Sequence, residues 1–392
     1  MNSTFIINAN IVLENQILNN GFLELLDGKI AEIDIMENCP QLASIENVID
    51  CRLEGYIIPG MIDIHVHGAL GHDFMDADHI CYSKIAKHLA SEGVTAFLAT
   101  TMTGPLSEIE AAIEALSYYY NNQPTAVAEM LGIHLEGPFI NRAKKGAQSE
   151  EFILKPNVQQ FKYLYDKSTQ LICLVTFAPE EDNNFALLQE LNSKGVIASI
   201  GHSDADYNTA IHALKAGITH VTHLFNGMSG LHHRDPGVVG AVLLSEDVYI
   251  EVIPDNIHFH KDLLRMVYKM TGLHRLLVIT DGMRAKGMPD GMYDLGGNEV
   301  EVINNQCIQH KTGSLAGSVL NMNTARKNIE ECLSLSIVEQ IRLVSLNQAV
   351  HLGLDNRKGS IAVGKDADVV WLNEEGEVEK TFCLGKLAFE KD

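Results

Sequence analysis

Eight short apolar runs recur between residues 61 and 280, and most of the segments between them have helical spacing. The runs cover residues 61–67, 95–101, 129–135, 171–177, 196–201, 218–223, 248–253 and 276–280. Strands that alternate with helices predict parallel strand–helix–strand units. Eight such units predict an α/β protein built on a (β/α)₈ barrel of the TIM type, whose usual length is about 250 residues.

The segments between and after these runs carry several helix signals. Residues 107–121 begin with the capping-box pattern Ser107-x-x-Glu110, which predicts a helix start. Residues 204–215 are followed by Gly217, a helix stop, and residues 237–245 form a short segment after the sixth run. Residues 319–353 predict two closing helices that end at Gly353.

The two ends of the chain differ from the middle. Residues 4–58 contain short strand patterns and the hairpin signal Asp27-Gly28, and residues 359–372 have the same texture. Neither end is long enough to bury a core alone. We therefore predict that residues 1–58 and 356–392 pair into a small β-sandwich domain, with a barrel at residues 59–355 inserted between them.

Composition and charge limit the partners and the compartment. The chain of 392 residues has 46% apolar and 20% charged residues, typical of a soluble globular protein, and a formal charge of −22. That charge argues against nucleic acid or an anionic membrane as a partner, but a local cluster of donors can still bind a small anion. Seven scattered cysteines, and the lack of a signal sequence or a long apolar run, predict a cytoplasmic protein with reduced thiols.

His65 and His67 lie at the carboxyl end of the first predicted strand, on one of its faces. Two neighbouring imidazoles can hold a metal ion. The spacing alone is a weak signal, since 17 histidines in this chain give roughly 0.7 such pairs by chance, and His258-Phe259-His260 is a second one. The case for a metal site at this pair depends on further potential ligands later in the sequence.

Four further strands of the predicted barrel end on a potential metal ligand. These residues are Glu136, His202, His223 and Asp281. Each alone is more often a packed or turn residue than a ligand. Because barrel enzymes assemble their sites at the carboxyl ends of the strands, six nitrogen and carboxylate donors on that rim predict a Zn²⁺-like site.

Six motifs follow one another from residue 59 to residue 368. They are Pro59-Gly60-Met61-Ile62-Asp63-Ile64-His65-Val66-His67-Gly68, His134-Leu135-Glu136-Gly137-Pro138-Phe139, Gly201-His202-Ser203, Thr222-His223-Leu224-Phe225-Asn226-Gly227-Met228, Leu315-Ala316-Gly317-Ser318 and Gly359-x-Ile361-x-x-Gly364-x-Asp366-Ala367-Asp368. With these motifs the sequence resembles the amidohydrolase superfamily and, within it, the N-acetylglucosamine-6-phosphate deacetylases. The resemblance also implies the barrel with a split β domain.

The resemblance implies a ligand set and a reaction. Glu136, His202 and His223 would hold one divalent metal, and His65 and His67 a second, with Glu136 bridging and Asp281 close by. Some relatives lack the His-x-His pair and use one metal, so the pair favours two per chain, Zn, Fe or similar. The implied reaction removes the acetyl group from N-acetyl-D-glucosamine 6-phosphate. Metal-activated hydroxide attacks the carbonyl, and Asp281 takes the proton and returns it to the leaving amine.

The resemblance also implies how the sugar phosphate is recognised. The substrate-binding residues would be Gln148, Asn226, Gly227, Arg234, His258, Leu315 and Ala316, with Arg234 contributing across the interface of a homodimer. Two positions depart from the family. Gln148 stands where a histidine often polarises the acetyl carbonyl, and Asn256 replaces a common glycine. His134 is interpreted as a packed or supporting residue.

Three alternatives remain open at this stage. The substrate could be the galacto epimer, N-acetylgalactosamine 6-phosphate. A cyclic amidase such as a dihydroorotase usually needs a bridging carboxylated lysine, a role that the Glu136 motif fills here. A non-catalytic barrel scaffold of this superfamily would have lost metal ligands, whereas all six candidates are present.

Overall fold

The computed structural model describes residues 3–41 and 47–392, so residues 1, 2 and 42–46 of the predicted terminal domain lie outside the described residues. The first strands are β1 (Ser3–Val12), β2 (Ile17–Leu26), β3 (Lys29–Ile35), β4 (Asn47–Asp50) and β5 (Tyr56–Pro59). The next are β6 (Met61–Val66), β7 (Gly68–Ala69), β8 (His72–Asp73), β9 (Val94–Thr100), β10 (Glu129–Glu136), β11 (Ile172–Phe177), β12 (Ile197–Ile200), β13 (His220–Val221), β14 (Tyr249–Val252) and β15 (Leu276–Val278). The last are β16 (Gly291–Leu295), β17 (Asn298–Ile303), β18 (Gln306–Gln309), β19 (Val369–Leu372), β20 (Val378–Cys383) and β21 (Lys386–Glu390).

The helices lie mostly between the strands of the middle segment. They are α1 (His79–Ser91), α2 (Leu106–Asn121), α3 (Val158–Lys167), α4 (Ala186–Lys194), α5 (Tyr207–Lys215), α6 (Gly237–Leu244), α7 (Lys261–Thr271), α8 (Met322–Leu333), α9 (Ile337–Ile341) and α10 (Asn347–His351). A π-turn at Arg342–Leu346 joins α9 to α10. None of the helices in the described residues combines the length and the apolar character that crossing a bilayer requires.

Eight parallel strands in the described residues form the barrel sheet, in the order β15-β14-β13-β12-β11-β10-β9-β6. The predicted barrel is therefore confirmed. Every residue of β6 and β9 is buried, as expected for parallel strands that helices cover on the outside and side chains fill on the inside.

The first and last strands of the barrel meet through hydrogen bonds just beyond β15. The Asp281 amide donates to the His65 carbonyl at 2.9 Å, and the His67 amide donates to the Gly282 carbonyl at 2.8 Å. The buried Asp63 carboxylate accepts the Thr280 hydroxyl across the same seam at 2.5 Å. Closure of the barrel thus places the His-x-His pair beside Asp281.

Strands from both chain ends form a second sheet, as predicted from the short strand patterns that the two ends share. Its order is β21-β20-β19-β5-β1-β2-β3, and β4 also pairs with β1. Ile6, Leu23, Ile57, Val369 and Phe382 are buried together in its own apolar core. A separate antiparallel sheet, β16-β17-β18, follows the last barrel strand and was not predicted.

Three local predictions need correction. The capping box at Ser107 is wrong, because α2 already begins at Leu106 after Pro105, and no side chain caps it. Helix α5 begins three residues later than predicted, since the Asp206 carboxylate caps it by accepting the Thr209 amide at 2.7 Å. Strand β13 is shorter than the predicted 218–223 because His223, with φ of 28°, is not extended. The short α6 and the two closing helical segments are confirmed.

A buried lysine joins the barrel to the terminal sheet. The Lys358 side chain is 1% exposed, and its Nζ lies 2.6 Å from Glu129 at the start of β10. The same Nζ lies 3.1 Å from Asp366 and 2.5 Å from Asp368, just before β19. Three carboxylates around one ammonium group tie the two sheets together.

We expect Lys358→Met to lower the free energy of unfolding, measured by urea denaturation, by about 3–5 kcal/mol, because it leaves the buried Asp368 carboxylate without its cation. The control is Lys29→Met. Lys29 also pairs with Asp366, at 2.7 Å, but it is half exposed. This change should cost less than about 1 kcal/mol. Equal losses in the two variants would contradict the assigned role of burial.

Candidate metal centre and active site

One group of potential ligands lies at the carboxyl ends of β10, β12 and β13. Glu136, His202 and His223 are buried, and one ligand atom from each lies within 4.8 Å of the others. Glu136 Oε1 is 3.3 Å from His202 Nε2 and 3.2 Å from His223 Nε2. Donors from three separate strands thus converge on a space that a metal ion could occupy.

A second group lies on the closure seam. His65, His67 and Asp281 also bring their ligand atoms within 4.8 Å of one another. Asp281 Oδ1 is 3.2 Å from His67 Nε2 and 3.5 Å from His65 Nε2. Glu136 lies between the groups, with its Oε1 3.5 Å from His65 Nε2 and its Oε2 3.6 Å from His67 Nε2. The structure therefore brings all six predicted ligands together.

Three of the histidines have their outer ring nitrogen bonded to a supporting acceptor. His202 Nδ1 is 2.7 Å from the Lys144 carbonyl, and His223 Nδ1 is 3.2 Å from the Asn226 carbonyl. His65 Nδ1 is 2.9 Å from Glu251. Because carbonyl and carboxylate oxygens only accept, each Nδ1 donates its proton, which makes Nε2 the nitrogen that would bind a metal.

The donor set fits a divalent cation. His65 Nε2 is buried and has no hydrogen-bond partner among the described residues, although two carboxylates face it. Burial lowers the pKa of His65, but Glu251 and Asp281 outweigh it and raise the pKa to about 10. The same negative field that favours a proton there would favour a bound cation. Imidazole nitrogens and carboxylate oxygens are ligands of Zn²⁺ and similar ions.

Three of the six candidate ligands have a left-handed backbone, which is unusual for residues other than glycine. The φ angles are 49° at His202, 28° at His223 and 51° at Asp281. Such conformations cost of order 1–3 kcal/mol each and persist where the surroundings enforce them. Here, for example, the Asp281 carbonyl accepts the Ser318 amide at 2.8 Å. The turns direct these side chains into the site directly after their strands.

A cavity of about 300 Å³ opens beside the two ligand groups. Its wall includes five of the predicted substrate-binding residues: Gln148, Asn226, Gly227, His258 and Leu315. Ala316 is buried next to this wall without lining it, and Arg234 is exposed on a loop outside it. The roles assigned to these residues remain predictions.

Gln148 is hydrogen-bonded through both ends of its side-chain amide. Its Oε1 accepts the Thr103 amide at 2.7 Å, and its Nε2 donates to Glu136 Oε2 at 2.6 Å. The side chain is 2% exposed. It therefore orients Glu136, and only one of its two N–H groups is left to face the cavity.

Sequence reasoning missed Glu251, the acceptor for His65. The available signal was a single carboxylate inside the apolar run 248–253, where a buried charge needs partners. His134 is a supporting residue, as interpreted. Its Nε2 bonds the Thr176 hydroxyl at 2.7 Å, and its ring packs edge-on against His65 with centroids 4.6 Å apart.

A (β/α)₈ barrel with two buried histidine–carboxylate groups at the carboxyl ends of its strands is the arrangement expected of a metal-dependent barrel enzyme. The sequence model of the Amidohydrolase family matches residues 56–388, and the chain belongs to that family. Both the predicted family and the predicted fold are thereby confirmed.

Individual relatives of this chain are deacetylases of phosphorylated amino sugars. The N-acetylglucosamine-6-phosphate deacetylase of Bacillus subtilis (strain 168) is 41% identical over 97% of this chain and 95% of its own length. The N-acetylgalactosamine-6-phosphate deacetylase of Escherichia coli O157:H7 is 34% identical over 96% and 97%. A variant of the Mycobacterium smegmatis N-acetyl-D-glucosamine-6-phosphate deacetylase, solved in complex with N-acetyl-D-glucosamine-6-phosphate, superposes with a TM-score of 0.91 at 26% identity, over 99% of this chain and 100% of that one.

Proposed function

We propose that this chain hydrolyses N-acetyl-D-glucosamine 6-phosphate to D-glucosamine 6-phosphate and acetate. The observation that carries the proposal is the position of Glu136, which lies between two buried ligand groups at the wall of a cavity that also contains Asp281. The 41% identity to a Bacillus subtilis deacetylase of this sugar supports the choice of substrate. The cytoplasm is the proposed location, on the grounds given by the sequence.

The two ligand groups would hold two divalent cations, such as Zn or Fe. Glu136, His202 and His223 would bind one, while His65 and His67 would bind the other, with Asp281 near both. When bound, such an ion lowers the pKa of water to about 7 and so makes hydroxide available at neutral pH.

Asp281 is the proposed proton carrier. Burial raises the pKa of its carboxyl, but the imidazoles of His65 and His67 outweigh burial and lower it below the ordinary value. The carboxylate is therefore ionised at neutral pH and can accept a proton from attacking water. It then returns the proton to the sugar nitrogen, because an amine leaves readily only when it does not leave as an anion.

His258, which lines the same cavity, is a proposed contact of the phosphate. His258 Nδ1 is 2.7 Å from the Asp255 carboxylate, which fixes the ring and leaves Nε2 for a ligand. Asn226 and Gly227 would also bind the phosphate, and the predicted contacts Leu315 and Ala316 would complete the binding site for the substrate. Since Arg234 is exposed outside this cavity, its proposed phosphate contact needs a second copy of the chain, and we propose a homodimer for that reason.

The direct test is acetate release after metal reconstitution. We expect rapid release from N-acetylglucosamine 6-phosphate, slower release from the galacto epimer, and little from unphosphorylated N-acetylglucosamine. Preference for the galacto epimer would replace the proposed substrate with the alternative. Absence of acetate from all three sugars in the metal-loaded protein would refute deacetylation.

The same assay tests Arg234. We expect Arg234→Ala to lower kcat/KM for the phosphorylated sugar by an amount equivalent to about 2–5 kcal/mol, the range for losing one partner of a buried charge pair. The unphosphorylated sugar should be affected little. Equal losses on both sugars would show that Arg234 supports the structure instead of contacting the phosphate.

We expect Asp281→Asn to reduce turnover by about 10²–10⁴-fold, because an amide cannot accept and return the proton. Circular dichroism should show an unchanged fold. Asp355→Asn, which changes an exposed carboxylate, is the matched control and should keep normal turnover. Near-normal turnover of the Asp281 variant at saturating sugar would remove this residue from the mechanism.

The number of metals follows from the His-x-His pair. Elemental analysis should give close to two metals per chain, falling towards one in the double variant His65→Asn, His67→Asn. That variant should lose most activity. Adding Gln148→His should restore part of it, because a histidine can stabilise the oxyanion that forms on the acetyl carbonyl.

The control for the metal count is the double variant His212→Asn, His274→Asn, which changes two exposed histidines and should keep both metals. Full activity with a single bound metal, or unchanged turnover in the His65 and His67 variant, would rule out the two-metal proposal.

A further inference from the structure

Glu251 lies within β14 and is fully buried, yet it makes no contact with a lysine or arginine among the described residues. Its Oε2 accepts the Nδ1 proton of His65 at 2.9 Å and the backbone N–H of His223 at 3.0 Å. One carboxylate oxygen therefore holds a side chain from one ligand group and the main chain of the other.

The second oxygen of Glu251 faces away from the ligands. Its Oε1 is 3.0 Å from His220 Nε2, and His220 Nδ1 is 2.7 Å from His351 Nε2 at the end of α10. Both histidines are held in place, since His351 also packs against Tyr249 with ring centroids 4.2 Å apart. Oε1 of Glu251 thus faces an immobilised imidazole at ion-pair distance, although the two atoms do not form a hydrogen bond.

We propose that Glu251 is a positioning residue that sets the affinity of the His65–His67–Asp281 group for its metal and holds that group in register with Glu136, His202 and His223. This inference rests on the proposed metal site. The physical reason is that a hydrogen bond from Nδ1 to the Glu251 carboxylate fixes the tautomer and the ring plane of His65. Its Nε2 then points at the proposed metal position.

Two substitutions separate the parts of this role. Glu251→Gln keeps an oxygen that can accept from His65 and His223 but removes the negative charge. Glu251→Ala removes both and leaves the His65 ring free to rotate or change tautomer. If positioning matters, the Gln variant should lie between the native protein and the Ala variant.

The experiment measures metal binding directly. Metal-free protein would be titrated with Zn²⁺ against a chromophoric chelator and, separately, with Co²⁺ while its visible spectrum is recorded. For Glu251→Gln we expect one site of native affinity and one weakened by about 10–100-fold, the usual effect of removing a supporting partner of a metal-binding histidine. For Glu251→Ala we expect the weaker site to be lost at the same concentrations, with a changed Co²⁺ spectrum.

Glu129→Gln is the matched control, because Glu129 is a carboxylate in the same barrel whose own acidic group, with Asp366 and Asp368, is already occupied by the Lys358 ammonium. It should bind both metals as the native protein does. Circular dichroism of the metal-free variants would check that the fold survives.

Three results would overturn the inference, and they differ in what else they remove. Two sites of native affinity in both Glu251 variants would refute it and leave the proposed function intact. Equal loss of both metals in Glu251→Gln would show a general structural role instead. A native protein that binds no metal at all would remove the proposed function together with this inference.

Discussion

Both ligand groups depend on the buried carboxylate of Glu136. Removing a carboxylate from water costs several kcal/mol unless cations or donors replace the lost hydration. Gln148 supplies one donor, and His202 and His223 lie at the other oxygen; these imidazoles hold the pKa of Glu136 well below its ordinary value in spite of burial. Asp281 and Glu251 add two further buried carboxylates. If the imidazoles are neutral, the three carboxylates place three negative charges in one small volume. Cations bound there would balance this charge.

Barrel closure determines which residues can share that volume. The seam between β6 and the chain after β15 uses the carbonyl of His65 and the amide of Asp281, so hydrogen bonding of the backbone sets the distance between ligands. Asp63 strengthens the seam by accepting the hydroxyl and the amide of Thr280. Directly after Thr280 in the chain, Asp281 has a left-handed backbone conformation. Local strain of this kind is tolerated where several hydrogen bonds enforce it, and it directs a carboxylate inward where a regular strand would not.

The barrel could be predicted because burial on both faces imposes apolar runs, and because its chemistry lies where those runs end. All six candidate ligands follow from that rule. Glu251 does not, since it lies inside a run and its partner His65 is about 190 residues away in sequence, a proximity that only closure of the barrel creates. The hydrogen bond that supports His202 could not be predicted from the sequence either. It uses the main-chain carbonyl of Lys144, and any residue at that position could supply such a carbonyl.

Gln148 connects the charge of the site to the reaction. Thr103 and Glu136 fix both ends of its amide, so at most one neutral N–H can face an acetyl carbonyl. A neutral donor stabilises a developing oxyanion less than a charged group does. If two cations occupy the ligand groups, as proposed, His65 and His67 would hold positive charge close to this cavity, where the neutral amide of Gln148 provides none. Gln148 is then suited to its position because it orients Glu136, the carboxylate that lies between the two ligand groups.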